Sequence, residues 1–234
     1  MVLLAALGDD DAGRYLRGVA DESRVDTIAV STVAREPTGR ALITVGEDSG
    51  ENTIVVVPGA NSALRIDGVP ECRVVLAQLE VPLDAVVAGF VAAKRAGATT
   101  ILNPAPATEL PTELLAVTDV IVPNEHEIDL VGGVDTLLDL GVSTVIVTRG
   151  ASGVEVSTAE RRSPTPHAAL AVEPVDTTGA GDSFCGALAA QLAAGAELDE
   201  AIRWAIVAAG LATTVHGAIP SIPDATAIAA RLTG

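Results

Sequence analysis

Apolar and polar positions alternate along this chain in two distinct rhythms. Short, β-branched, near-continuously apolar runs at Val74–Leu79, Thr99–Leu102, Val120–Val122 and Thr144–Thr148 read as strands buried on both faces, the pattern of a parallel sheet. Between them lie Ala-rich helical stretches. Pro82–Ala96 is opened by a proline at its first turn, and Val134–Leu140 is closed by Gly141. Strand and helix in alternation, joined by short loops, predict a doubly wound α/β fold with a mostly parallel sheet and helices on both faces.

Two regions break the rhythm. Gly39–Val45 and Asn52–Val57 are strand-like and are joined by the polar turn Gly46–Glu51, which predicts a β-hairpin projecting from the main sheet. In the last third, Asp182–Ala194 and Leu198–Thr214 read as successive helices. The first places Phe184, Ala187, Leu188, Gln191 and Leu192 on one face. No repeat, low-complexity tract or linker divides the chain, so residues 1–234 are expected to form one domain.

Composition narrows the class. The chain has 234 residues, 49% of them hydrophobic, which is enough to bury a core and excludes a disordered protein. Against 14 Lys and Arg stand 31 Asp and Glu, a net charge of −17 that argues against nucleic acid or an anionic membrane surface as partner. A small polyphosphate is not excluded, because backbone amides and a cation can hold one. Cys72 and Cys185 lie far apart with no His or Cys beside them, and so read as buried thiols of a reducing cytoplasm rather than a disulfide or zinc site. No apolar run approaches the ~18 residues of a membrane span. The opening Met1–Leu7 lacks a basic region and runs into Gly8-Asp9-Asp10-Asp11, so it reads as a strand ending in a turn and not as a signal peptide.

The chemistry concentrates in Val175-Asp176-Thr177-Thr178-Gly179-Ala180-Gly181-Asp182, where a glycine loop precedes a helix starting at about Asp182. Free N–H groups at such a helix start suit a phosphate or an oxyanion. Asp182 has two readings: an ordinary N-terminal cap, or a carboxylate beside an anion site, placed to take a proton from an attacking hydroxyl. The loop matches neither the P-loop, in a chain whose one lysine is Lys94, nor the dinucleotide glycine pattern. Three further segments follow strands directly: Asn103–Ala107, Pro123–Glu127 and Thr148–Gly153. Together with the glycine loop they predict a composite site along one sheet edge.

With Asp-Thr-Thr-Gly-Ala-Gly-Asp at 176–182, Asn-Pro-Ala-Pro-Ala at 103–107, and Pro-Asn-Glu-His-Glu at 123–127, the chain resembles the ribokinase branch of the PfkB carbohydrate kinase family over essentially its whole length. The resemblance implies ATP-dependent phosphorylation of a sugar's primary hydroxyl, with ribose as the expected sugar. Asp182 would be the catalytic base and a sugar ligand, Gly179, Ala180 and Gly181 the anion hole, and Glu80 a sugar hydroxyl ligand. Asn124, Thr148, Arg149, Gly150, Ala151, Ser152, Gly153, Gly181, Asp182 and Ile206 would bind ATP, with Ile206 at the adenine. Glu127 would hold Mg²⁺ through water. Asp176, Thr178, Ala212, Val215, Gly217 and Ser221 would hold a K⁺ activator, several through backbone carbonyls. The hairpin at 39–57 would be a lid that also pairs two subunits in a homodimer. The family usually opens with Asn-x-Asp and Gly-Gly-x-x-x-Asn sugar segments. Here Met1 aligns inside a later strand, so roughly sixty residues of the usual length are expected to be missing. Two alternatives stand beside ribose phosphorylation: a kinase of another sugar or nucleoside, and a non-catalytic nucleotide-binding or dimerising remnant.

Overall fold

The structure is a computed structural model that describes residues 1–45 and 52–232. Its backbone contacts group into two compact units, one of Met1–Pro70 with Glu80–Ala88, the other of Glu71–Leu79 with the chain from Gly89 onward.

In the first unit, strand β1 (Ala5–Gly8) lies parallel to β2 (Val30–Val33), joined through helix α1 (Asp11–Glu22). Few apolar groups hold α1, which buries only Gly13. Polar bonds fix it instead. The Asp10 carboxylate caps it by accepting from the Gly13 N–H at 2.8 Å, and the Arg17 guanidinium donates to the carbonyls of Thr27 and Val30 at 3.2 and 3.1 Å. The core here is small: Ala6, Ala60, Leu64 and Ala85, with Val33, Ile66 and Val81 against them. Strands β3 (Arg40–Val45) and β4 (Asn52–Val57) form an antiparallel hairpin in register from Arg40 opposite Val57 to Val45 opposite Asn52. The hairpin pairs with no other strand among the described residues. The turn expected over 46–51 lies outside the described residues. Leu42, Val55, Val56 and Val57 are 61%, 54%, 56% and 42% exposed.

The second unit holds a six-stranded sheet. Strands β5 (Val74–Ala77), β6 (Thr99–Leu102), β7 (Val120–Ile121) and β8 (Thr144–Thr148) run parallel, and β9 (Val154–Thr158) and β10 (Thr165–His167) continue antiparallel to give the order β10-β9-β8-β7-β6-β5. The fold is thus mixed α/β with a mostly parallel sheet flanked by helices, as the alternating pattern predicts. Helix α2 (Leu83–Arg95) belongs to this unit from Gly89 onward and leads into β6 with Phe90 and Ala93 fully buried. Short helices α3 (Thr112–Leu115), α4 (Glu127–Leu130) and α5 (Val134–Asp139) fill the later connections. Two long helices, α6 (Ala180–Ala194) and α7 (Leu198–Ala212), pack onto the sheet. Phe184, Cys185 and Leu188 of α6, with Ala201, Ile202 and Ala205 of α7, share one cluster with Ile101, Val120, Val122, Ile146, Val154 and Val156. Helix α8 (Ala218–Ser221) and α9 (Ala225–Leu232) complete the chain, and Ile228 of α9 packs on Val207 and Ala208.

One boundary differs from expectation in a way that matters. Helix α6 begins at Ala180, not at Asp182, because Gly179 takes the cap position in the left-handed region (φ 76°) that glycine accommodates without strain.

Candidate functional site

Parallel strands align their carboxyl ends, and the chain places polar residues directly after three of them. After β6, the Asn103 side-chain amide donates to the Val122 carbonyl at 2.9 Å, stitching two strand ends together. After β7, Asn124 bridges to Thr148 at the end of β8, and the Thr148 N–H donates to the Pro123 carbonyl at 2.9 Å. Asn124 and Glu127 cap each other's segment. Asn124 Oδ1 accepts from the N–H groups of His126 and Glu127, both at 2.9 Å, and Glu127 Oε2 accepts from the Asn124 N–H at 2.8 Å. Among the described residues this reciprocal arrangement leaves Asn124 Nδ2 and the second Glu127 oxygen free for other partners.

The glycine loop is fixed by Asp176. Its carboxylate accepts from the Thr178 N–H at 2.9 Å and from the Gly217 N–H at 2.8 Å, joining two loops 41 residues apart. These bonds, Gly217 first, pull the Asp176 carboxyl down to about 2, with the exposed His216 ring 4.0 Å away adding slightly. From the locked loop the chain enters α6. The Ser183 N–H reaches the Gly179 carbonyl at 2.9 Å, the first bond of the helical ladder, whereas the N–H groups of Gly181 and Asp182 have no acceptor among the described residues. Asp182 does not cap the helix: it is the third helical residue, exposed, and its carboxylate accepts no hydrogen bond from the described residues.

These pieces line one cleft of about 200 Å³, formed by Asn103, Asn124, Glu127, Thr148, Gly181 and Asp182 above a floor that includes Ala105, Val122 and Cys185. Burial, and then the charges of Asp182 and Glu127, push the Cys185 thiol up to about 12, so it stays protonated and serves as packing. Two open amides, a free carboxylate and a half-buried Glu–Asn pair can hold an oxyanion, accept a proton and bind a hydrated cation.

The structure thus brings together Asn124, Glu127, Thr148, Gly181 and Asp182. Other expected site residues stand elsewhere. The turn Arg149–Gly153 leaves the cleft: Arg149 pairs with Glu155 at 2.8 Å, and Gly153 (φ 90°) backs so closely on the His167 carbonyl that a Cβ there would lie 2.0 Å from it. Ile206 lines a separate cavity of about 250 Å³ with His167, Leu170, Arg203, Val207 and Leu232. Glu80 follows β5 in sequence and belongs to the first unit. Asp176 and Gly217 meet, and Ser221 Oγ donates to the Ala218 carbonyl in the same loop. Among the described residues no cluster of three or more His, Cys, Asp or Glu could hold a metal by itself, so a cation at Glu127 needs phosphate and water as further ligands. Cys185 is the site residue that sequence reasoning misses. Its signal is a position three residues after Asp182, on the same side of a helix.

A match to the pfkB family of carbohydrate kinases runs over residues 1–225. The chain belongs to that family. It is therefore a sugar kinase, a phosphotransferase. A ribokinase of Staphylococcus aureus (strain COL) is 36% identical over 241 residues, which cover 94% of this chain and 78% of the relative. A deoxyribokinase of Salmonella typhi is 32% identical, over 96% of this chain and 79% of the relative. The solved structure of Arabidopsis thaliana ribokinase, complexed with ribose and ATP, superposes with a TM-score of 0.91 at 32% identity, covering all of this chain and 82% of that one.

Proposed function

We propose that this sugar kinase transfers the γ-phosphoryl group of ATP to the primary hydroxyl of D-ribose, giving D-ribose 5-phosphate and ADP. The observation that carries the reading is the pairing of two acceptor-less amides, Gly181 and Asp182, with an uncommitted Asp182 carboxylate on the same cleft. Phosphoryl transfer asks little covalent chemistry of a protein and depends on position and charge. In the proposed cycle the Gly179-Ala180-Gly181 turn is the anion hole, its open Gly181 amide and that of Asp182 donating to the phosphate oxygens while the Ala180 N–H stays on the Thr177 carbonyl at 3.3 Å. Asp182 accepts the proton of the attacking hydroxyl as that oxygen bonds to phosphorus and the β–γ bridge oxygen leaves with ADP. Asn124 Nδ2 would donate to a phosphate oxygen, and the open oxygen of Glu127 would accept from a water of a magnesium ion, which would neutralise developing phosphate charge.

The loop set also fits a potassium activator. The proposed ligands are Asp176, Thr178, Ala212, Val215, Gly217 and Ser221, several through backbone carbonyls, and the support is the Gly217 N–H bond to Asp176 that joins the two loops. Thr148–Gly153 and the cavity at Ile206 are proposed to take the nucleotide, Glu80 a sugar hydroxyl, and the β3–β4 hairpin to cover the bound sugar and pair with a second copy.

The test is ADP release by the purified chain with D-ribose, 2-deoxy-D-ribose, D-fructose and adenosine at saturating Mg-ATP, in K⁺ and in tetramethylammonium. Ribose is expected to give the highest kcat/KM, and K⁺ to raise it. A preference for 2-deoxy-D-ribose, in line with the deoxyribokinase relative, would replace the assigned sugar. No sugar-dependent ADP release would overturn the reading.

A further inference from the structure

The hairpin's root is held by a polar cluster that lies outside the cleft. Both oxygens of Asp10 are engaged. Oδ1 accepts from the Gly13 N–H at 2.8 Å and from the Thr38 hydroxyl at 2.5 Å, and Oδ2 accepts from the Thr38 N–H at 3.0 Å and from Arg40 Nη2 at 3.3 Å. The Thr38 oxygen in turn accepts from the Gly8 N–H at 3.0 Å, and Thr38 is 3% exposed. The two legs of the hairpin are locked to one another at the same level. The Ala60 N–H donates to the Pro37 carbonyl at 2.8 Å, and a Cβ on Gly59 would lie 2.3 Å from that oxygen. A Cβ on Gly39 would lie 2.7 Å from the Pro58 carbonyl. Past this root, β3 and β4 pair with no other strand among the described residues, and Leu42, Val55, Val56 and Val57 are exposed.

A two-stranded hairpin has little stability of its own in water. Its direction must be imposed where it leaves the body of the unit. The geometry points to Asp10 as a positioning residue of the kinase reaction: through Thr38 and Arg40 it sets the stance of the β3–β4 hairpin and so the affinity for the sugar. The inference rests on the reading of the hairpin as the sugar's cover. The Thr38 hydroxyl, with the Gly13 and Thr38 N–H groups, holds the Asp10 carboxyl far below the usual carboxylate range, so the clasp is ionised wherever the enzyme is assayed. Capping of α1 is a separate duty of the same side chain. Asparagine performs that duty about as well, which lets the two be separated.

The experiment compares wild type with Asp10→Asn, Thr38→Val, Thr38→Ser and the hairpin-face variant Leu42→Asp. It reads KM for D-ribose, KM for ATP, thermal midpoint, and amide hydrogen exchange. Asp10→Asn and Thr38→Val are expected to raise the ribose KM roughly tenfold, the scale of losing hydrogen bonds to a charged group, with ATP KM within about twofold. Their β3 and β4 amides should exchange about tenfold faster than in wild type, with β6 to β8 unchanged. Thr38→Ser should stay near wild type, since it keeps the hydroxyl.

Unchanged exchange in the hairpin would overturn the proposal. So would ribose and ATP KM rising together with a lowered midpoint, which marks a general structural role. If Leu42→Asp raises the ribose KM and Asp10→Asn does not, the clasp fails while the hairpin's part in sugar binding survives. If Leu42→Asp leaves it unmoved, the hairpin reading fails and takes the clasp's catalytic relevance with it. Should the wild type turn over no ribose, the sugar assignment falls, and exchange still decides whether Asp10 holds the hairpin. Should Asp10→Asn not fold, the Thr38 pair carries the test alone.

Discussion

Gly181 offers a perturbation whose effects on stability and on function should have opposite signs. It is the second residue of α6, its φ is not in the left-handed region, and the space a Cβ would occupy has no atom within 4 Å. Gly181→Ala therefore introduces no clash and removes backbone freedom from the unfolded chain, a gain of about 0.5–1 kcal/mol inside a helix. For a chain of this length that corresponds to roughly 1–4 °C in thermal midpoint. The open space is open because it belongs to the cleft of about 200 Å³. On the proposed reading, a methyl group there would stand where a phosphate approaches the Gly181 and Asp182 amides. Losing charge-assisted hydrogen bonds costs about 1.5–3 kcal/mol, so ATP should bind about 10- to 100-fold more weakly. Differential scanning fluorimetry without ligand and isothermal titration with Mg-ATP read the two effects separately. Gly186→Ala is the control: Gly186 is also in α6 with open space around it, but it does not line the cleft, so it should raise the midpoint and leave ATP binding alone. A stabilised Gly181→Ala protein that binds ATP within twofold of wild type would refute the assignment of these amides to phosphate.

Other outcomes follow from the same geometry. Asp182→Asn should lower kcat by about 10²–10⁴-fold with ATP affinity nearly unchanged, because the carboxylate has no partner among the described residues; near-normal turnover would remove it from the chemistry. The Asp176 carboxyl is depressed in the folded chain, so its stabilising effect is complete above the unfolded value near 3.8 and fades as pH falls through about 2. The midpoint difference between wild type and Asp176→Asn should therefore be constant from pH 8 to 5 and shrink between pH 4 and 2; a difference that instead shrinks above pH 5 would count against the bonding described. The exposed apolar hairpin should associate with a second copy, and light scattering that shows a strict monomer at high concentration would exclude that partner.

Local chemistry was legible where neighbouring residues supply their own cause. Runs such as Thr144–Thr148 are buried strands because every side chain in them tolerates burial, and the two-strand hairpin shows in its paired apolar runs. The strand-end asparagines and the glycine loop pointed to one cleft because they directly follow parallel strands or open a helix, and the structure gathers Asn103, Asn124 and Gly181 there. By contrast α1 and β2 were invisible, since α1 buries little and is held by Asp10 and Arg17 bonding to positions up to 30 residues away. Strands β9 and β10 escaped notice for a related reason, as antiparallel additions whose pairing is what defines them. Nor could residue order reveal that Gly179, not Asp182, caps α6. The left-handed Gly179 lies in a loop that Asp176 clamps to Gly217, 41 residues further on, a bond that exists only in the folded chain. In the same way Arg149–Gly153 is adjacent to Thr148 in sequence yet turns from the cleft, because Glu155 on the next strand draws the guanidinium aside and Gly153 docks on His167. Residue types and short spacings thus determined which elements form and what chemistry they carry. Which side chains remain unpaired and face the cleft was decided by hydrogen bonds between distant segments, and those exist only once the chain is folded.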